Sequence, residues 1–159
     1  MVEPTELRTP RLLLRPFTFA DVEDVVAYAG SEGFARFMPI PNPYRESDAQ
    51  EFIARCTLQS WEDHPFFAIT REGRVIGSTS VRVEAAQRRA EIGYGIGRDH
   101  WGQGLMPEAA AAVLDWAFPT YALDKIFARA GAQNTQSWRV MEKLGMTREA
   151  LLRSHRIHQ

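Results

Sequence analysis

The chain has 159 residues, of which 45% are hydrophobic and 25% are charged, and this suits one globular domain with a sizeable core. Its net charge of −1 has no basic stripe that would favour nucleic acid as a partner. It has no apolar run of about 20 residues, no signal-peptide core at its acidic start and a single cysteine, Cys56, so we expect a cytoplasmic protein without membrane contact or intrachain disulfide.

The first third of the chain predicts one strand and two helices around a stiff loop. A short strand is expected at 12–17, and apolar residues at helical spacing predict a helix from 18 or 19 to 28. Three prolines at alternate positions exclude a helix from 34–44. The capping-box pattern Ser47–Gln50 then predicts a helix at 48–61.

The middle of the chain predicts three antiparallel strands in succession. Residues 66–70 and 75–83 are rich in β-formers and are joined by a turn at Gly73, which is typical of a hairpin. A third strand is expected at 89–97, after a loop at 84–88.

The last third alternates helices with short strands. A helix is predicted at 105–118, with Pro119 past its end, and a strand at 125–130. A helix at 134–144 and a last strand at 146–153 follow. This order predicts a mixed α/β sheet with a meander rather than a purely alternating βαβ fold.

A glycine-rich turn separates the third strand of the meander from the helix at 105–118. Gly102 and Gly104 let the backbone approach an anion closely, and the helix start offers unpaired N–H groups and a positive dipole end. The pattern is not a Walker motif, because Gly-Lys-Ser/Thr is absent, and Pro107 excludes the dinucleotide fingerprint. We therefore predict a pyrophosphate cradle at residues 101–106; the alternative is a turn that only caps the helix.

Three glycines, Gly93, Gly95 and Gly97, alternate along the strand that precedes this turn. Glycine inside a strand is destabilising and often marks close backbone approach. Three on one face predict that something slender, such as a pantetheine arm, lies along this strand. The alternative is a twisted strand that passes under a helix.

Three stretches of the chain together resemble the GCN5-related N-acetyltransferase (GNAT) superfamily. They are Glu91-Ile-Gly-Tyr94, His100-Trp-Gly-Gln-Gly-Leu-Met-Pro-Glu-Ala109 and Asn134-Thr-Gln-Ser-Trp-Arg-Val-Met-Glu-Lys-Leu-Gly-Met146. The resemblance covers about residues 7–153 and is closest to the RimJ/RimL-type ribosomal-protein alpha-amino acetyltransferases.

This resemblance implies an α/β (α+β) GNAT fold over 1–159, with a mostly antiparallel twisted sheet that is flanked by helices and splayed at the acetyl-CoA-binding strands. It also implies acetyl-CoA as co-substrate, no metal, and a monomer or homodimer. Relatives usually close the sheet with one more strand, which we expect to lie outside this sequence; the alternatives are that a partner supplies the pairing or that the fold closes differently.

The resemblance assigns the cofactor contacts to two regions of the chain. The superfamily signature Gln/Arg-x-x-Gly-x-Gly/Ala falls on 101–106, where Met106 replaces a small residue and Gln103 stands where relatives often have a basic one. Asn134 would bind the pantetheine arm, and Ser137 would lie near the thioester sulfur; the alternatives are a helix cap and an ordinary first-turn serine. The predicted cofactor residues are Gly95, Ile96, Gly97, Trp101, Gly102, Gln103, Gly104, Leu105, Met106, Asn134 and Ser137.

Catalysis would require a base, an oxyanion donor and an acid. Glu91 is the predicted base, acting through water, and its alternative is a salt bridge with Arg88 or Arg89. A strand N–H near Ile96 would stabilise the oxyanion. Many family members have a tyrosine acid at the position of Met141, so Ser137 or a water would protonate the thiolate here.

The expected acceptor is a primary amine, and a protein N-terminus is the favoured candidate. About a tenth of an α-amine is neutral at pH 7, against about 0.04% of a lysine, so an α-amine needs less help from a base. Phe34, Met38 and Tyr44, with Phe37 and Trp61, are expected to line the acceptor pocket or to pack in the core. Two alternatives stay open: acetylation of a small-molecule amine such as an antibiotic, polyamine or amino acid, and a non-catalytic acyl-CoA-binding module.

Overall fold

The computed structural model describes residues 1–36 and 38–150. Within them, six strands form one sheet in chain order, and only the last pair is parallel. The strands are β1 (Leu7–Arg8), β2 (Leu13–Arg15), β3 (Phe66–Arg71), β4 (Arg74–Glu84), β5 (Arg89–Ile96) and β6 (Lys125–Phe127). The helices are α1 (Val22–Ala29), α2 (Glu46–Leu58), α3 (Leu105–Thr120) and α4 (Thr135–Lys143). The predicted mixed sheet with a meander is confirmed.

The helices cover the sheet in two pairs, and each pair encloses its own apolar core. On one face, α1 and α2 pack around Val25 and Ile53, both fully buried. On the other, α3 and α4 close over a larger core that includes Phe67, Leu105 and Val113. Because successive strand residues point to opposite faces, β3 contributes Phe67 and Ile69 to the larger core and Ala68 to the smaller one.

The β3–β4 hairpin turns at Glu72 and Gly73, whose φ angles of 52° and 80° suit a two-residue turn with both central residues left-handed. The turn predicted at Gly73 is therefore confirmed. Just after it, the register shifts between Ile69 and Thr70, so that Ile76 is an extra residue in β4. This bulge lets Val75 pack toward α1 while Ile76 packs toward α3.

The sheet opens between β5 and β6. Strand β5 pairs with β4 along its whole length, from Arg89 to Ile96. Its pairing with β6 stops at Glu91 and Phe127, so the far half of β5 has no strand partner on that side within the described residues. The splay implied by the resemblance is confirmed.

Several predicted boundaries need correction. The strand predicted at 12–17 is shorter, because Pro16 ends it, and β1 precedes it unpredicted. Helix α3 runs past Pro119, which lies in its last turn, and the strand predicted at 125–130 ends at Phe127, where the splay begins. Of the last strand predicted at 146–153, residues 146–150 are not in a strand, and 151–153 lie outside the described residues.

Helix α2 starts two residues earlier than the capping-box pattern predicted. The backbone N–H of Arg45 donates to Asp48 Oδ2 at 2.8 Å, so Arg45 is the N-cap. Gln50, the expected partner of Ser47, instead donates from its amide to Glu46 Oε1 at 3.2 Å. The carboxylate of Asp48 competes better than the neutral amide for a backbone donor at a helix start.

No helix in the described residues combines the length and apolarity that a membrane span needs.

A buried ion pair ties β2 to the start of α1. Asp21 accepts hydrogen bonds from Arg15 Nη1 and Nη2 at 2.9 and 2.8 Å, and from the Thr18 N–H at 2.8 Å. Burial opposes the charge of Asp21, but these hydrogen bonds outweigh it and lower the pKa of the carboxyl. The Asp21 side chain is only 6% exposed.

We predict that Asp21→Asn lowers the free energy of unfolding by about 2 kcal/mol at pH 7, because it leaves Arg15 without its counter-charge in a buried place. Since the folded-state pKa is depressed, this stabilisation is present above the unfolded pKa of about 4 and is lost as the pH falls through the folded value. Urea unfolding at pH 7 and pH 3 measures both effects.

Asp124→Asn is the matched control. Asp124 accepts from Arg88 at 2.8 Å through both oxygens, but its side chain is 66% exposed, so its loss should matter far less. If both substitutions lowered the free energy of unfolding equally, burial would not be the reason for the contribution of Asp21.

Candidate active site

The N-terminus of α3 presents a run of free backbone donors. Gly102 and Gly104 both have φ of 73°, and the first helical hydrogen bond runs from the Glu108 N–H to the Gly104 carbonyl at 3.2 Å. None of the N–H groups from 102 to 106 finds an acceptor within the described residues. Successive unpaired donors at a helix start are typical of anion sites, so this segment could hold a phosphate group.

Two arginines supply the positive charge that Gln103 does not. Arg71 Nη1 donates to Gln103 Oε1 at 3.0 Å, and Arg11 Nη1 donates to the Gln103 carbonyl at 2.9 Å. Arg11 is also ion-paired with Glu108 at 2.9 Å, whereas Arg71 has no carboxylate partner among the described residues. The Gln103 side chain therefore stiffens the loop. Arg71 places beside it a positive charge that no carboxylate of the described residues neutralises.

The other side chains of the loop face inward. Leu105 and Met106 are buried in the core under α3, so only their backbone N–H groups can meet a ligand. The Trp101 indole donates to the Ile96 carbonyl at 3.0 Å and thus fastens the loop to the end of β5. Met106 points away from the loop's outer surface, so it does not crowd the cradle.

The unpaired edge of β5 is continuous with this loop. The Gly97 N–H donates to Ile76 in β4 at 2.9 Å, so by alternation the N–H groups of Ile96 and Tyr94 point away from β4, into the splay. Backbone groups at this edge can pair with the amides of an extended ligand. The N–H near Ile96, predicted as the oxyanion donor, therefore points into the splay, and its role stays a prediction.

Side chains of the protein cover part of the β5 face on which a slender ligand was predicted. A Cβ on Gly97 would lie 3.0 Å from Tyr28 Cβ, and one on Gly95 would lie 3.0 Å from Phe34 Cζ. The predicted close approach is real, but aromatic side chains make it at these two positions. A ligand arm thus has room at the edge of β5 and above Gly93, where only Ser80 Oγ lies within 4 Å of a built Cβ.

Helix α4 brings Ser137 against β5. The Tyr94 hydroxyl donates to the Ser137 carbonyl at 3.0 Å and lies 2.8 Å from Ser137 Oγ. Burial raises the pKa of Tyr94, so this phenol stays protonated at neutral pH. Asn134 caps α4, because its Oδ1 accepts from the Ser137 N–H at 3.2 Å. This confirms the predicted cap and fixes the first turn of the helix.

Glu91 lies between two arginines that the sequence analysis did not select. Its Oε1 accepts from Arg82 Nη2 at 3.1 Å and its Oε2 from Arg129 Nε at 2.5 Å. The partners expected for a salt bridge, Arg88 and Arg89, bind Asp124 and Glu84 instead. Arg82 faces Glu91 directly across the β4–β5 ladder, and this cross-strand register decides the pairing.

The residues predicted to line an acceptor pocket separate into two groups. Phe34 and Met38 lie together over Gly95, beside the open part of β5. Tyr44 packs near Gly30 at the end of α1, and Trp61 belongs to the aromatic core on the α3 face, with Phe67 and Trp116. Trp61 is therefore a core residue; Phe37 lies outside the described residues.

The geometry is matched by sequence comparison. The family model described as the acetyltransferase (GNAT) domain matches residues 11–147. The chain belongs to the GNAT family.

Similar proteins support this assignment along the whole chain. The N-acetyltransferase p20 of Bacillus licheniformis is 28% identical over 153 residues, which are 94% of this chain and 86% of that protein. A GNAT-family acetyltransferase from Bacillus anthracis has a TM-score of 0.86 at 28% identity, with 97% and 90% of the two chains covered. RimL, the ribosomal L7/L12 alpha-N-protein acetyltransferase, in complex with coenzyme A, has a TM-score of 0.86 at 15% identity, with 96% and 90% covered. The protein is thus an N-acetyltransferase with a GNAT fold.

The sequence analysis missed several residues of the candidate site, namely Tyr94, Arg11, Arg71, Arg82 and Arg129. Tyr94 stood inside the recognised Glu91–Tyr94 motif, but only the tertiary structure sets its hydroxyl against α4. Arg71 is the last residue of β3 and reaches Gln103 from 32 positions earlier in the chain. No local pattern signals such long-range contacts.

The single cysteine of the GNAT domain is not part of the site. Cys56 is buried in the α2 core, and this burial raises its pKa to about 12. We predict that Ellman's reagent labels no thiol in the native protein at pH 8 and one thiol after denaturation. Rapid labelling of the native protein would contradict the packing described for α2. The result also matters for assays that detect free coenzyme A through its thiol.

Proposed function

We propose that this GNAT enzyme transfers the acetyl group of acetyl-CoA to a primary amine, most often the α-amino group of a protein or peptide. The run of five unpaired N–H groups at the start of α3, directly beside the open edge of β5, is the observation that carries this proposal. A single slender ligand with a diphosphate can use both features at once.

The proposed binding roles follow the order of these features. The N–H groups of 102–106 hold the diphosphate, and Arg71 adds charge next to them. Gly95, Ile96 and Gly97 present the backbone along which the pantetheine arm runs, with Asn134 on the α4 side. Bound acetyl-CoA supplies an activated thioester with a good leaving group, so the chain itself has to orient the amine and move protons.

Glu91 is the proposed base. Glu91 and Gly93 are two residues apart on the same face of β5, which separates them by about 6–7 Å. This distance suits proton transfer through one water between the Glu91 carboxylate and an amine above Gly93. Arg82 and Arg129 fix the carboxylate in position through the hydrogen bonds described above. An α-amine needs less assistance from such a base than a lysine does, because its pKa is about 8.

Ser137 and Tyr94 are proposed to act together on the leaving-group side. The hydroxyl of Tyr94 donates to a carbonyl, so in this arrangement the Ser137 hydroxyl donates to Tyr94. Reorientation of the Ser137 hydroxyl would give its proton to the departing thiolate; Tyr94 would then reprotonate Ser137, and a proton from solvent would restore the phenol. This pair compensates for Met141, which has no proton to donate.

Two other functions remain as alternatives. Acetylation of a small-molecule amine uses the same machinery with another acceptor, and RimL is the comparison that favours a protein α-amine. A non-catalytic acyl-CoA-binding module would keep the α3 site without turnover. Thermal shift with acetyl-CoA, followed by thiol release against peptides and small amines, separates these cases. No shift would reject the binding role, and a shift without turnover would favour the module.

We predict that Gly104→Ala weakens coenzyme A binding about tenfold. A Cβ is strained at a φ of 73°, so the loop would shift and move a backbone N–H away from the charged diphosphate. Gly145→Ala is the matched control, since Gly145 has φ of 77° at the end of α4. Both should lower the melting temperature, but only Gly104→Ala should reduce the shift induced by coenzyme A. Equal shifts in the two variants would reject the cradle.

We predict that Tyr94→Phe lowers kcat about tenfold with little change in the KM for acetyl-CoA, because it disturbs proton delivery and not binding. Ser137→Ala should have a similar effect, and the double variant should lose little more, since the two hydroxyls act as a unit. Tyr121→Phe is the control: its hydroxyl donates to the Trp61 carbonyl, away from the site. An unchanged kcat in Tyr94→Phe would leave the phenol a structural role only.

A further inference from the structure

The α1–α2 face of β5 has an open slot above Gly93. On this face the strands align in rows, and one row consists of Phe66, Ser80 and Gly93. Only Ser80 Oγ, at 3.4 Å, lies within 4 Å of a Cβ built on Gly93. The Ser80 hydroxyl has no hydrogen-bond partner among the described residues. The floor of the slot is therefore small and polar.

The two walls of the slot differ in character. The next row toward Gly97 is covered by Phe34 and Met38 above Gly95. The next row in the other direction holds Arg82 and Glu91. Arg129, which follows β6 in the chain, joins this row through its hydrogen bond to Glu91. Neighbouring rows are about 6–7 Å apart along the strands. A chain that enters the slot thus meets an apolar wall on one side and a charged wall on the other.

The charged wall carries a net positive charge. Arg82 and Arg129 are two cations against the single carboxylate of Glu91. His64, stacked on Phe66 with ring centroids 4.5 Å apart, adds no charge near neutral pH, since burial and then Arg82 lower its pKa. Each guanidinium donates one hydrogen bond to Glu91, and the two side chains are 52% and 44% exposed, so further N–H donors of each are accessible to a ligand.

We propose that the acceptor carries a carboxylate that binds Arg82 and Arg129 while its amine enters the slot above Gly93. This inference rests on the proposed acetyl transfer and specifies its acceptor. A separation of about 6–7 Å between amine and carboxylate corresponds to a peptide whose second residue is acidic. Polycationic acceptors, such as polyamines, would be repelled by the same wall.

The arginines have a simpler alternative role, which is only to hold Glu91 in place. The two roles predict different kinetics. Loss of an arginine that serves Glu91 alone would lower turnover by the same factor for every acceptor. Loss of an arginine that binds the acceptor would lower turnover mainly for acidic acceptors. The ratio of kcat/KM values between two acceptors therefore separates them.

The experiment measures thiol release from acetyl-CoA with three peptide amides that differ only at the second residue: Ala-Glu-Ala, Ala-Gln-Ala and Ala-Lys-Ala. The amidated ends remove any other carboxylate. We expect kcat/KM for the glutamate peptide to exceed that for the glutamine peptide about tenfold, as for a hydrogen-bonded charge, with the lysine peptide lowest. Equal values, or a preference for lysine, would overturn the inference.

Arg129→Gln and Arg82→Gln should each bring the glutamate-to-glutamine ratio close to one. Arg89→Gln is the matched control, because Arg89 lies on the same face of β5, one row farther from Gly93, and pairs with Glu84 instead of Glu91. It should keep the ratio within about twofold of wild type, since it lies beyond reach of the slot. If the first two variants lose kcat/KM by the same factor on all peptides, the inference is overturned, and the two arginines serve only to hold Glu91 in place.

The failure of the inference and the failure of the proposed function give different results. Thiol release without preference among the peptides rejects the carboxylate-bearing acceptor and leaves acetyl transfer intact. Absence of release with all three peptides, in a protein that acetyl-CoA stabilises thermally, rejects peptide acetylation itself. The wild-type comparison needs no variant, so a variant that fails to fold does not affect it.

Discussion

The end of pairing between β5 and β6, at Glu91 and Phe127, is the constraint on which the rest of the site depends. A fully paired sheet would use the backbone groups of β5 on both sides and leave none for a ligand. Because β6 ends early, the N–H groups at Tyr94 and Ile96 stay available, and α4 can approach β5 closely enough for Ser137 to meet Tyr94. The opening thus accounts for both the free edge of β5 and the contact between Tyr94 and Ser137.

The same strand serves two faces with different chemistry. Its even-numbered residues, from Ala90 to Ile96, face the α3 core, where burial keeps the Tyr94 phenol protonated. Its odd-numbered residues face α1 and α2, where glycines admit the aromatic side chains at 28 and 34 and leave a gap at Gly93. The alternation of a β-strand is sufficient to keep the Tyr94 phenol and the gap at Gly93 on opposite faces of the sheet. The bulge at Ile76 supports this arrangement, because it preserves both cores beside β5.

Positive charge is concentrated at two separate ends of the candidate site. At α3, backbone donors and Arg71 produce a positive region that suits phosphate. At the far end of β5, two arginines surround one carboxylate, and the excess charge is again positive. Between them the walls are apolar or weakly polar. A co-substrate with phosphates and an acceptor with a carboxylate would therefore approach from opposite ends toward the same open edge.

The sequence by itself determined the elements whose signals are local. The two-residue turn at Gly73, the cap at Asn134 and the glycine pair before α3 follow from backbone preferences. Apolar spacing, capping patterns and β-rich runs located the four helices of the described residues and the meander. The tertiary structure decided what depends on distant neighbours: which arginines bind Glu91, which hydroxyl meets Ser137, which side chains cover Gly95, and where β6 stops. It also moved Trp61 from a possible pocket to the core. Cross-strand register and helix packing set these contacts, and they join residues too far apart in the chain for any local pattern to encode.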